Sequence, residues 1–180
     1  MKMTSYPLKN GQRLDIRPAV PEDAPQLLAY LPLIGAESDN LLFGKEGVGL
    51  TIESEQKLLR DINEEPNSVF LLGSVNGVLV ATCSIRASQR ERKRHQGTFA
   101  IAVRKPFWNL GIGSKMGREA LEWAQSTGIL TVVQLTVRTD NVHAIRLYER
   151  LGFRPVGILH RDLRIHGEYH DTLMMEWVMA

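Results

Sequence analysis

The sequence predicts an α/β (α+β) chain built on a mixed sheet with helices on its faces. Two observations carry this. Short β-branched and apolar runs recur from Arg13 to Val178, separated by stretches with helical spacing of apolar residues. One of those helical stretches falls between central strands, which a purely antiparallel meander would not need.

In chain order, Arg13 to Arg17 alternates apolar and polar residues and forms a short strand. Pro21-Glu22-Asp23 opens a helix, since proline fits a first turn and acids there suit the helix dipole. Gly35 to Gly49 holds four glycines and is expected as a loop. Thr51 caps a second helix to about Asn63. Val69 to Leu72 and Val78 to Ile85 are strands, joined through Asn76-Gly77, a two-residue pair suited to positive φ. A basic turn leads to a strand over Thr98 to Val103. A helix from Gly111 to Ser126 precedes a strand over Val132 to Val137, and Asn141 to Leu151 is a helix ended by Gly152. Phe153 to Leu159 and Tyr169 to Val178 are the last strands, turning at His166-Gly167.

At 180 residues the chain is expected to form one domain, 1–180, with a full core. Twenty-two Lys+Arg against 20 Asp+Glu give a net charge of +2, which argues against a dedicated nucleic-acid binder. Arg86 to Arg94 holds five of the cations, but no aromatic side chain interleaves them as a single-strand platform requires. A lone cysteine, Cys83, excludes an internal disulfide and fits a reducing cytoplasm. No apolar run approaches a membrane span and no apolar leader is visible, so a cytoplasmic location is expected. His166 and His170 lie across a glycine turn rather than on a helix, so no metal site is expected.

The first segment with chemistry is Ala100 to Gly113: a strand, then Trp108-Asn109-Leu110-Gly111-Ile112-Gly113, then a helix start. Free backbone N–H groups at a helix N-terminus hold anions. A Walker loop needs Gly-Lys-Ser/Thr, and Gly113-Ser114-Lys115 has another order. A dinucleotide fingerprint needs its third glycine one place before Gly117, and an acid about 20 residues on that this chain lacks. A coenzyme A pyrophosphate, or a tight turn without ligand, fits as well. In the second segment Asn141, Ala144 and Tyr148 share a helix face at i, i+3 and i+7, followed by Leu151-Gly152-Phe153.

Together these segments resemble the GNAT family of acetyl-CoA-dependent N-acetyltransferases. The first is similar to its pyrophosphate motif Q/R-x-x-G-x-G/A at Gly111 and Gly113. The second is similar to its N-x-x-A-x-x-x-Y and L-G-F motif. Ile16 to Ala24 looks like its first strand and helix. Gly167-Glu168-Tyr169 with Asp171 and Met174 is similar to the last hairpin of the ribosomal-protein and diamine acetyltransferase branches.

The resemblance implies a GNAT fold with a mostly antiparallel sheet and direct acetyl transfer from acetyl-CoA to a primary amine. The acceptor would be a small molecule or a protein N-terminus, and the enzyme a monomer or homodimer without metal. It implies a backbone donor at Val103, beside Ile101, for the oxygen that gains charge, and Tyr148 as the acid for the leaving thiolate. Trp108 and the amides of Asn109, Leu110, Gly111, Ile112, Gly113 and Ser114 would hold the pyrophosphate, and Asn141 and Ala144 the pantetheine arm. Two residues depart from the pattern: Trp108 replaces Gln or Arg, and Gly97 stands where several members carry a catalytic Glu. The base is therefore sought elsewhere. His95, eight residues before Val103, ranks first, with Glu168 in the last hairpin; Glu37 and Asp39 fall in the expected acceptor loop. The alternative is a non-catalytic acyl-CoA-binding regulatory module, which the missing Glu would suit.

Overall fold

The computed structural model describes residues 2–179. Its frame is an eight-stranded sheet. The strands are β1 (Thr4–Pro7), β2 (Arg13–Pro18), β3 (Val69–Val75), β4 (Val78–Ala87), β5 (Gln96–Val103), β6 (Val132–Arg138), β7 (Arg154–Ile165) and β8 (Glu168–Val178). Their order is β1-β2-β3-β4-β5-β6-β8-β7, and every neighbouring pair is antiparallel except β5 and β6. That one parallel pair needs a crossover, supplied by α3 (Ile112–Ser126). The other helices are α1 (Ala24–Glu37), α2 (Ile52–Glu64) and α4 (Val142–Arg150).

The two faces of the sheet carry separate cores. Leu27, Tyr30 and Ile34 of α1 and Leu59 of α2 pack on Leu72 and Leu79. On the other face Ile112, Met116, Ala120 and Ala124 of α3 and Tyr148 of α4 pack on Leu71, Cys83, Phe99, Val133 and Leu135. The chain enters α1 through a 3-10 turn at Pro21–Asp23. There Arg17 grips Asp23 with two bonds of 2.6 Å, while the Val20 N–H and Gln26 donate to the same carboxylate. Burial alone would raise the Asp23 pKa; the Arg17 bonds, the Val20 amide and the Arg17 charge outweigh it and hold it below the ordinary value.

Three expectations change. β1 is additional: the polar N-terminal segment pairs with β2, Ser5 bonding Asp15 at 2.5 Å and the Tyr6 hydroxyl donating to Glu119. The expected loop from Gly35 begins later, because α1 runs on to Glu37. β7 continues to Ile165 past the expected end at Leu159, across a bulge between Leu159 and Leu163 that the Asp171 carboxylate holds by accepting from the Arg161 N–H at 2.8 Å. No helix among the described residues is long and apolar enough to cross a membrane.

Candidate active site

β5 and β6 pair only where Gln96–Thr98 meet Val132–Gln134. Beyond that point β5 stays with β4 as far as Val103, and β6 stays with β8 as far as Arg138, so the two strands part. The polar groups of a strand alternate between its two sides. The Arg104 N–H donates to Val80 at 2.9 Å, which turns the even residues of β5 toward β4. The amides of Ile101 and Val103 therefore face the gap, where no strand receives them, while the Phe99 amide still closes the ladder on Gln134. The Val103 carbonyl, facing the same way, is taken by the Trp108 indole N–H at 2.6 Å. Trp108 itself is 43% exposed.

The chain leaves β5 through a 3-10 turn at Lys105–Phe107 and enters α3 at Gly111, whose φ of 85° suits a residue without a Cβ. Gly111 offers no side-chain cap, and the first helical bond runs from the Lys115 N–H to the Gly111 carbonyl. The amides from Asn109 to Ser114 thus meet no acceptor among the described residues and form a cradle of donors at the positive end of α3. Gly117 serves packing: a Cβ there would sit 2.5 Å from Leu151 Cδ1.

In α4, the Asn141 side-chain oxygen accepts from the Ala144 N–H at 3.2 Å and caps the helix. Asn141 thus sets the start of the helix that carries Tyr148 two turns on. Ala144 is half-buried beside the same core. Tyr148 is buried edge-on to Phe99 and Phe153, each ring centroid 6.0 Å away. Burial first, then the nearby Cys83 sulfur, pushes its phenol well above the ordinary value, so it keeps its proton. Its hydroxyl has no bonded partner among the described residues. Cys83 pairs with Ile101 in the sheet. The Tyr148 ring packs beside Phe99, the residue two places before Ile101 and four before Val103 on β5.

The base candidates fare differently. Gly97 has no room for a carboxylate, because a Cβ there would sit 2.5 Å from Ile85 Cγ2. His95 precedes β5 at its paired end, its carbonyl accepting from the Thr131 and Val132 amides. At about 3.3 Å per residue it stands roughly 26 Å along the strand from Val103 and does not join the gap. Glu168 opens β8 at the exposed hairpin turn. Glu37, expected in a loop, is the last residue of α1 and holds Arg104 Nε at 2.7 Å and the Lys105 N–H at 2.6 Å. Asp39 lies just beyond, its carboxylate 3.4 Å from His166 and its carbonyl accepting from Arg138 at 3.3 Å. It joins the acceptor-side loop to the last hairpin and the end of β6. Tyr30, whose hydroxyl donates to the Ala102 carbonyl at 3.2 Å, was missed by sequence reasoning; its i, i+7 spacing to Glu37 on α1 was the available signal.

The Acetyltransferase (GNAT) family model matches residues 41–153. The L-amino acid N-acetyltransferase AaaT of Escherichia coli is 30% identical over 112 residues, covering 62% of this chain and 69% of that protein. The N-alpha-acetyltransferase RimI of Mycobacterium tuberculosis is 32% identical over 57% of this chain and 62% of its own length. A GNAT acetyltransferase structure from Streptococcus pneumoniae superposes with a TM-score of 0.90 at 38% identity, covering 92% of this chain and 99% of that one. The chain belongs to the GNAT acetyltransferase family and is an acetyl-CoA-dependent N-acetyltransferase.

Proposed function

We propose that the chain acetylates an α-amino group, of a free amino acid or a protein N-terminus, by direct transfer. The carrying observation is the parting of β5 from β6 with donors lined along it: gap-facing amides of Ile101 and Val103, the cradle at Asn109–Ser114, and the protonated Tyr148. When bound, acetyl-CoA supplies an acetyl group activated as a thioester. The cradle amides hold its pyrophosphate. The Val103 N–H bonds the pantetheine arm, and the Ile101 N–H, the gap-facing amide nearer along β5 to Phe99 and the Tyr148 ring packed on it, receives the oxygen that gains negative charge. Aligned donors of that kind contribute about 3–4 kcal/mol. As the neutral amine nitrogen bonds the acetyl carbon and the C–S bond breaks, Tyr148 hands its proton to the departing sulfur, and the proton that the amine loses returns through water to the phenolate. This moves the donor expected at Val103 one pleat back.

The placement of the base candidates supports an α-amine. A lysine-like amine, pKa about 10.4, lies roughly 3.4 units, or about 4.6 kcal/mol, from its neutral form at pH 7. The α-amine of a peptide or protein N-terminus, pKa about 7.7–8.0, lies only about one unit away, whereas in a free amino acid the adjacent carboxylate holds the α-amine higher. With Gly97 filled by its neighbours, His95 at the far end of β5 and Glu37 bonded to two donors, the smaller demand is the one this site can meet. AaaT and RimI both carry names of amino acid or N-terminal acetyltransferases. The reading includes one acetyltransferase domain over 1–180, supported by a sheet that runs from Thr4 to Val178, and a cytoplasmic monomer or homodimer, in keeping with the lone, buried Cys83.

Thiol release from acetyl-CoA across amino acids, N-terminal peptides, polyamines and aminoglycosides tests this. Release is expected with α-amines, and Tyr148→Phe is expected to lower kcat about 10²-fold or more. Release only with polyamines or aminoglycosides overturns the acceptor. Full activity of Tyr148→Phe overturns the acid.

A further inference from the structure

The segment from Arg104 to Gly111 carries no helix or strand beyond one 3-10 turn, yet it must hold the donor cradle at a fixed distance from the gap. Most of its bonds are internal. The Phe107 N–H donates to the Arg104 carbonyl at 2.9 Å, and the Trp108 N–H to the Lys105 carbonyl at 3.2 Å. The Trp108 indole reaches back only to Val103. At its first residue the Arg104 N–H continues the ladder to Val80.

One side chain from elsewhere in the fold reaches into this segment by hydrogen bonds among the described residues, and it is Glu37. Its Oε1 accepts from Arg104 Nε at 2.7 Å and its Oε2 from the Lys105 N–H at 2.6 Å. The pair is well covered, the Arg104 and Glu37 side chains being 22% and 17% exposed. Both carboxylate oxygens are thus used. A charge held by a guanidinium and a backbone amide is poorly placed to bind an ammonium acceptor. It is well placed to fix a turn, since charge-assisted bonds are short and directional. Tyr30, two turns earlier on the same face of α1, holds the Ala102 carbonyl. α1 therefore grips the end of β5 at two points, and Glu37 takes the one from which the cradle hangs.

We propose that Glu37 is a positioning residue for the acetyl-CoA cradle, acting through Arg104 and the Lys105 amide, and not an acceptor contact. This rests on the reading of Asn109–Ser114 as the pyrophosphate site. Affinity for a polyanion on backbone amides depends on their being held in place beforehand, and loosening their support weakens binding without removing a single ligand contact.

The test is calorimetric titration of the folded protein with acetyl-CoA, together with initial rates over both substrates. Glu37→Gln leaves an acceptor for one donor and sets an amide NH2 against the other. It is expected to raise the acetyl-CoA Kd and KM about tenfold, with acceptor KM within about twofold. Arg104→Gln should do the same. The double variant Glu37→Gln/Arg104→Gln, which can form an amide pair, should recover part of the loss, so that the two effects are not additive. Loss of stability alone would lower the folded fraction and leave the Kd of folded molecules unchanged, which would overturn the proposal. A raised acceptor KM at unchanged acetyl-CoA Kd would overturn it too and return Glu37 to the acceptor site. If Glu37→Gln does not fold, Arg104→Gln and Glu37→Asp carry the same comparison. Wild-type protein that binds no acetyl-CoA would bring down the cradle reading, and this proposal with it; wild-type binding with silent Glu37 and Arg104 variants would bring down this proposal alone.

Discussion

The two halves of β5 differ in what their backbone does. From Gln96 to Thr98 the strand is paired on both sides, and Gly97 is pressed so closely on Ile85 that no side chain fits. From Ala100 to Val103 it is paired on one side only, and the amides of Ile101 and Val103 face the gap. The side chains turn from Gln96-Gly97-Thr98 to the apolar run Phe99 to Val103, but every residue presents the same backbone N–H. What changes is the neighbour: β6 turns away with β8, and a row of donors that would be structural becomes available to a ligand. The open half is exposed or half-buried, so its two gap-facing amides are left for water or a ligand to pair.

The largest effect should come from erasing the difference at the paired half. Gly97→Glu would supply the carboxylate that the family pattern places there. It would also force a Cβ to within 2.5 Å of Ile85 Cγ2 and bury a charge without a partner. We expect a loss of at least about 4 kcal/mol, seen as a failure to fold or a collapse of the denaturation midpoint. A well-folded Gly97→Glu protein with raised activity would show that the paired half can carry a base after all.

In the open half, proline separates two roles that side-chain substitutions cannot reach. At Ile101 or Val103 it deletes an N–H that makes no ladder bond, which is where a strand tolerates proline best. Ile101→Pro is expected to lower kcat by about 10²–10³, the usual cost of one lost donor to a developing oxyanion. Val103→Pro should act mainly on the acetyl-CoA KM. The reverse pattern would restore Val103 as the donor. Circular dichroism and the melting temperature separate either effect from unfolding.

Much of this contrast was legible in the sequence on one side only. The cofactor side is written in two contiguous stretches, Trp108 to Ser114 and Asn141 to Tyr148, because a turn, a helix start and a helix face are local objects. Even there the packing of Tyr148 on Phe99 of β5, far away in the chain, needed the fold. The support of the cradle and the loop after α1 are assembled from remote pieces: Glu37 meets Lys105 across 68 positions, and the Arg138 guanidinium meets the Asp39 carbonyl across 99. His95 misled for the same reason. Counting by twos along β5 gives a face, but not the distance from the gap or the point at which β6 departs. β1 escaped notice because Thr4-Ser5-Tyr6-Pro7 shows no apolar alternation: Ser5 bonds Asp15, and only Tyr6, whose hydroxyl bonds Glu119, packs against the core.

The pH dependence should follow the acceptor rather than the enzyme. Burial raises the Tyr148 pKa above its ordinary value near 10, so the phenol stays protonated throughout the neutral range and its loss can only appear above that value. If the site supplies no base, kcat/KM should rise about tenfold per pH unit and level off near the amine's own pKa, about 7.7–8.0 for a peptide N-terminus. An acceptor of lower pKa should move the plateau down with it. A plateau that stays fixed while the acceptor changes would reveal an enzyme base.

The smallest effect is expected on the acceptor side, at Asp39. Its carboxylate meets His166 at 3.4 Å with both side chains largely exposed, 59% and 81%. Exposed pairs of this kind contribute about 0–1 kcal/mol. Asp39→Ala should therefore leave the melting temperature nearly unchanged and raise the acceptor KM about two- to fivefold, with acetyl-CoA KM unaffected. The contrast with Glu37→Gln is the informative one. Two carboxylates two residues apart would then act on opposite substrates, the covered one through the backbone of the cradle and the exposed one at the acceptor rim. Equal effects of both variants on the same substrate would mean that the loop after α1 moves as one piece, and that the end of α1 does not divide the two binding sites.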